Sequence, residues 1–142
     1  MRRRLRFELW ELALVAAGAV PGALLRWRIE AQVGPLLASG AAGVAAANLL
    51  SNLVGSFLLG VLAGPIPWRP PLLLMGGIGF CGSLTTFSSW MLDLVRLGQQ
   101  GQGLAGLALL VASLVLGLAA AATGLALSRV GFRPPGPPRS LR

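Results

Sequence analysis

The chain has 142 residues, 55% of them hydrophobic and 11% charged, with a mean hydropathy of +0.76. That is one domain in length, with too little polar surface for a soluble fold and four long apolar runs, so the class is an all-α integral membrane protein. The twelve cationic residues are all Arg, set against four carboxylates for a net charge of +8. They lie mainly in the tails and loops, which fits anchoring to anionic membrane lipid and topology control rather than a nucleic-acid face.

There is no His, and the only acids are Glu8, Glu11, Glu30 and Asp93. A His-based metal centre, a His triad or a paired-carboxylate active site in the bilayer is hard to build from that set, which points away from an enzyme. Cys81 is the single cysteine and can form no intrachain disulfide.

Residues 1–8 form a basic N-terminal segment, Met1-Arg-Arg-Arg-Leu-Arg6 at its start. With the apolar run behind it, this also matches the opening of a secretory signal peptide. Phe7 to Trp27 is nevertheless long enough to span, and it continues through Pro21-Gly22-Ala23 without a polar cleavage region. The first span is therefore expected over about 9–27, with a kink at Pro21. Arg26 and Trp27 fall at its far end, where Arg snorkels and Trp favours the interface. Arg26 is either an anchor there or a positive charge at the mouth of an anion path.

Residues 28–40 read as a short amphiphilic connection to a second span over about 40–64. Asn48, Asn52 and Ser56 recur every four residues in it and share one helical face. Two mid-span asparagines need partners, either across a helix interface or as a polar stripe lining a pore. Pro65-Ile-Pro67-Trp68-Arg69-Pro70-Pro71 is a proline-rich turn leading into the third span, about 72–97.

That third span carries Gly76-Gly-Ile-Gly-Phe-Cys-Gly-Ser-Leu-Thr-Thr-Phe-Ser-Ser-Trp90, an unexpected composition for a segment that only has to be apolar. Glycine tolerates φ > 0 and hydroxyls compete for backbone hydrogen bonds, so a break is expected over Gly82-Ser83-Leu84-Thr85-Thr86. Non-helical backbone at membrane depth persists only inside protein or along a watery cavity, and its freed carbonyls can bind a cation. The alternative is an unbroken, glycine-rich helix packed close to its neighbours. Beyond the break, Phe87 and Trp90 are three apart and share a face. Asp93 and Arg96 have the same spacing and can pair. A polar loop follows, then the fourth span over about 104–128, with Ser113, Gly117 and Gly124 on a small-residue face. Residues 129–142 form a basic, Pro-rich tail that reads as disordered.

The third-span motif closely resembles the signature of the Fluc (CrcB) fluoride channels. Gly22-Ala-Leu-Leu-Arg26-Trp27, Asn52-Leu-Val-Gly-Ser-Phe57 and, more weakly, Ser113-Leu-Val-Leu-Gly117-Leu118 resemble that family's elements in the other three helices. The resemblance implies an antiparallel dimer of four-helix subunits in the plasma (inner) membrane. Two pores would lie at its interface, and passive export of cytoplasmic fluoride would be its function. It also implies a central structural sodium ion held by the main-chain carbonyls of Gly82 and Thr85 from both subunits. By matching position, fluoride would pass Asn52, Phe87 and Trp90, with Thr86 and Ser113 as polar positions along the way and Arg26 near the vestibule. Ring edges, an amide and hydroxyls can replace fluoride's water without trapping the ion.

The chain departs from the family pattern at Trp90, which stands where a second Phe is usual, and at Asn48, commonly Thr, which adds an amide to the stripe. Leu109 and Gly117 depart as well. Two other functions compete. A small proton-coupled exporter of the multidrug type has a similar size but needs a membrane-embedded carboxylate, whereas Glu8 and Glu11 fall near the interface. A non-conducting scaffold subunit of a heterodimer is the other. The second subunit is expected to be an identical chain in preference to a paralogue, because the motifs needed for both pores are all present.

Overall fold

The computed structural model describes residues 2–65 and 70–131. Most of the proline-rich turn and the tail from residue 132 on lie outside the described residues. Among those described, all regular structure is helical, and four helical runs are long and apolar enough to cross a membrane: Arg4–Leu37, Gly40–Leu62, Pro70–Gln99 and Gly103–Gly131.

The first run is longer than the sequence suggests. Helix α1 (Arg2–Arg28) contains Pro21 without ending there. It passes into a π-helical turn, Ile29–Val33, and then α2 (Gly34–Leu37). The expected connection over 28–40 is thus mostly helix. Pro35 lies close to the end of this run, at the junction of the π-helical turn and α2, and the helix continues only two residues past it. The chain turns at Ala38 (φ −163°, ψ 164°) and Ser39, and Gly40 takes a positive φ of 60° that only glycine adopts easily. At 1.5 Å per residue, the 34 residues of Arg4–Leu37 extend roughly 50 Å against a hydrocarbon core of ~30 Å, so the run is longer than the core is thick.

Helix α3 (Gly40–Leu62) is the second span. The third comprises α4 (Pro70–Leu73), a π-helical stretch Leu74–Cys81, α5 (Gly82–Leu84) and α6 (Ser88–Gln99). The fourth is α7 (Gly103–Gly131). Lipid tails give helices no hydrophobic reason to associate, so close backbone approach must hold the bundle. Small residues supply it. A Cβ on Gly18 or Gly79 would run into the facing backbone of the π-helical stretch and α1 respectively. On the other side of the bundle, Gly60 of α3 lies against the Ala121 backbone, and Gly124 of α7 against Phe57 and Val61. The most buried side chains are Leu84, Asn48, Cys81 and Ser51, while large apolar ones such as Leu107, Leu118 and Trp27 face outward. Polar atoms inside and apolar surface outside is the arrangement a bilayer demands.

Candidate functional site: a groove beside the third span

Helical geometry in the third span persists through Leu84, stops over Thr85–Phe87 and resumes at Ser88. Thr85 is extended (φ −79°, ψ 155°). Gly82 is not where the geometry changes. Its φ of −63° and ψ of −29° are helical, so glycine's access to positive φ plays no part. The cause is a side chain from the second span. Asn52 Oδ1 accepts the Thr86 N–H at 2.8 Å, and Asn52 Nδ2 donates to the Thr86 carbonyl at 3.0 Å. One amide thereby satisfies both polar groups of a backbone unit that no longer has helical partners.

Two main-chain carbonyls are affected. In a continuing helix the Thr86 N–H would close on the Gly82 carbonyl, and the Ser89 N–H on that of Thr85. The first N–H is held by Asn52, and the second donates to Thr86 Oγ1 at 3.2 Å. Gly82 and Thr85 therefore lose their ordinary helical donors together. The Thr85 hydroxyl is turned away and donates to the Cys81 carbonyl at 3.0 Å. Ser83 Oγ lies 2.9 Å from the carbonyls of both Ala19 and Gly79, tying this segment to α1.

An open groove of about 350 Å³ runs along the interruption. Asn52, Thr86, Phe87, Trp90 and Ser113, all expected along an ion path, line it with Thr85. Phe87 is 73% exposed in the single chain, and its ring centroid lies 5.7 Å from that of Trp90 with 53° between the planes. The rings of such a tilted pair are not stacked face to face, and the edge of each is its electropositive part. Trp90 Nε1 donates to Ser113 Oγ at 3.0 Å, and Ser113 donates in turn to the Leu109 carbonyl at 2.6 Å. Ser56 and Gly117 also face the groove. Ser56 belongs to the four-residue polar stripe, so its position was readable from spacing.

Asn48 does not line this groove. It is buried, and its Nδ2 donates to Asp93 Oδ2 at 2.8 Å. Asp93 is itself 5% exposed and lies 3.8 Å from the Arg96 guanidinium, the expected pairing of those two residues. The Asn48–Asp93 bond joins positions 45 residues apart, and no local spacing signals it. Arg26 is half-buried, with its Nε enclosed and without a partner among the described residues.

The model of the CrcB-like protein, Camphor Resistance (CrcB), family matches residues 13–125. A protein of Parasynechococcus marenigrum (strain WH8102), fluoride-specific ion channel FluC 2, is 52% identical over 136 residues, 96% of this chain and 93% of its own. The FluC 2 protein of Mycobacterium tuberculosis (strain ATCC 25618 / H37Rv) is 42% identical over 103 residues, 72% of this chain and 79% of its own. FluC 1 of Prochlorococcus marinus (strain MIT 9313) is 35% identical over 121 residues, 84% and 92% respectively. With its four membrane-spanning helices, the chain is a multi-pass membrane protein of the CrcB-like family.

Proposed function

We propose that this chain is a passive fluoride-selective channel, in which two copies associate antiparallel so that their grooves become closed pores. The observation that carries the reading is the groove at Thr85–Phe87, where exposed Phe87, tilted against half-buried Trp90, stands together with Asn52 and Thr86. Fluoride's water must be replaced by several modest donors for it to enter and leave a narrow path. The ring edges, the second Asn52 N–H and the Thr86 hydroxyl are such a set, and none carries a full charge. The relatives named as fluoride-specific channels support the same reading.

In this arrangement the Thr85–Phe87 interruption lies at membrane depth, enclosed between subunits. The carbonyls of Gly82 and Thr85, whose helical donors are engaged elsewhere, fit a small monovalent cation, and sodium is the ion we assign. Bound there, it would supply a fixed positive charge and join the interruptions of the two subunits. A structural ion is held rather than carried. Replacing sodium by a large organic cation is expected to lower the protein's thermal midpoint, and an unchanged midpoint would remove the ion from this account.

The observation that favours a proton-coupled exporter is buried Asp93. It faces Asn48 and Arg96, beside a second cavity near the end of the span that includes Gln100 and Gln102, and not the aromatic groove. The test is efflux from proteoliposomes holding this protein alone. Rapid fluoride efflux with little chloride efflux, independent of an imposed pH gradient, is expected. Efflux that follows the pH gradient would replace the channel by an exchanger.

A further inference from the structure

Trp90 and Ser113 are polar residues of the groove, yet each has its hydrogen directed at protein. An indole has one N–H and no acceptor, and that N–H goes to Ser113 Oγ. A serine hydroxyl has one hydrogen and two lone pairs. Ser113's hydrogen goes to the carbonyl of Leu109, one turn back on α7, leaving a lone pair towards Trp90. The relay Trp90–Ser113–Leu109 thus points in one direction, from the third span into the backbone of the fourth. While it stands, neither residue has a polar hydrogen to offer an anion. Ser113 can present only a lone pair to the groove, which repels fluoride.

The relay fixes something else. The Trp90 ring turns about two side-chain bonds, and a single hydrogen bond at its rim restricts both. Its ring stands tilted by 53° to Phe87, and rotation about those two bonds would change that tilt. Edge and face have opposite sign, so the orientation of the indole sets the sign of the field it puts into the groove.

We infer that Ser113 is a positioning residue, which locks the Trp90 indole so that its edge and not its face meets the anion, and is itself no ion ligand. The inference rests on the channel reading and adds to it a division of labour. Donation falls to Asn52, Thr86 and the ring edges, and Ser113 holds the geometry. A Phe at position 90 would have no N–H and could not be held in this way.

The test combines a signal from the indole with flux in two backgrounds. In the full chain reconstituted into bilayers, the nitrogen-15 indole resonance of Trp90 is identified by its loss in Trp90→Phe. Ser113→Ala is expected to move that resonance towards the position of a free N–H, and Ser113→Thr, which keeps the hydroxyl, to leave it nearly in place. Fluoride efflux is expected to fall about three- to tenfold in Ser113→Ala relative to the parent. In the Trp90→Phe background the same serine change is expected to alter efflux by less than about twofold. An unmoved indole resonance overturns the lock. An equal fall in both backgrounds overturns it too, because Ser113 then acts on the ion directly. A moved resonance with unchanged efflux removes the positioning role. A parent chain that passes no fluoride would sink the channel reading alone, since the resonance decides the lock without any flux.

Discussion

Phe87 is the largest apolar side chain at the interruption and stays 73% exposed, so its place is not explained by packing within one chain. In the proposed channel its ring edge would meet the passing ion, which gives that exposure a role. Phe87→Ile keeps the bulk and removes the electropositive edge, so fluoride efflux should fall at least about tenfold, equivalent to ~1.4 kcal/mol of barrier. The variant should still elute at the parent's position. Undiminished efflux in a folded variant would reassign the ring to packing. Asn52 answers to a different measurement. Its amide holds both the N–H and the carbonyl of Thr86, and Asn52→Ala leaves that part-buried pair without partners. Each lost partner costs about 1–3 kcal/mol, so a clearly lower thermal midpoint in detergent is expected, in addition to any loss of flux. A midpoint equal to the parent's would mean that water replaces the amide easily.

Between elements, the fold depends on backbone surfaces that nearly touch. Gly60 and Gly124 sit where α3 and α7 meet, and a Cβ on either would collide with the facing main chain. Gly124→Val should therefore abolish folded, monodisperse protein. Gly98→Ala meets nothing within 4 Å on α6 and should leave the midpoint unchanged or slightly higher. Equal tolerance at both positions would contradict the close approach. The sequence makes much of this architecture legible, because span length and small-residue spacing are local properties. The groove is legible for a related reason: Thr86, Phe87 and Trp90 are near neighbours in sequence, and Asn52 with Ser56 follow a helical period. The pairings across the bundle are not. Helical spacing puts Asn48 and Asn52 on one face, but it cannot say that Asn48 meets Asp93 while Asn52 takes hold of Thr86. Composition also misdirects at Gly82. Its glycine suggests the site of a turn, whereas the turn is made three residues later by Asn52 withdrawing a backbone donor. The helical run through Leu37 was hidden as well, in a stretch over 28–40 whose amphiphilic composition reads as a connection.

At the scale of the whole molecule, the charge distribution opposes the proposed antiparallel symmetry. With four spans, both tails and the second loop fall on one side. By sequence they carry Arg2, Arg3, Arg4, Arg6, Arg69, Arg129, Arg133, Arg139 and Arg142, nine arginines against Arg26, Arg28 and Arg96 on the other. Such a bias favours tails in the cytoplasm. An antiparallel dimer of identical chains requires both orientations in similar amounts. Two resolutions are physically open: the tail charges count for little in insertion, or a second protein of opposite orientation completes the pair. Prochlorococcus marinus (strain MIT 9313) has both a FluC 1 and a FluC 2 similar to this chain, so a single organism can hold two such proteins. Identical partners are the simpler proposal, because Asn52, Thr86, Phe87 and Trp90 all line one groove in one sequence. Orientation can be read directly. Cys81 is buried, 1% exposed, so a cysteine introduced in the C-terminal tail would be the accessible thiol for an impermeant label on intact cells. About half of the molecules should be labelled if identical chains insert both ways. Uniform protection, together with no fluoride efflux from liposomes holding this chain alone, would instead require an oppositely oriented paralogue. The pore motifs of this sequence would then form half of a shared site.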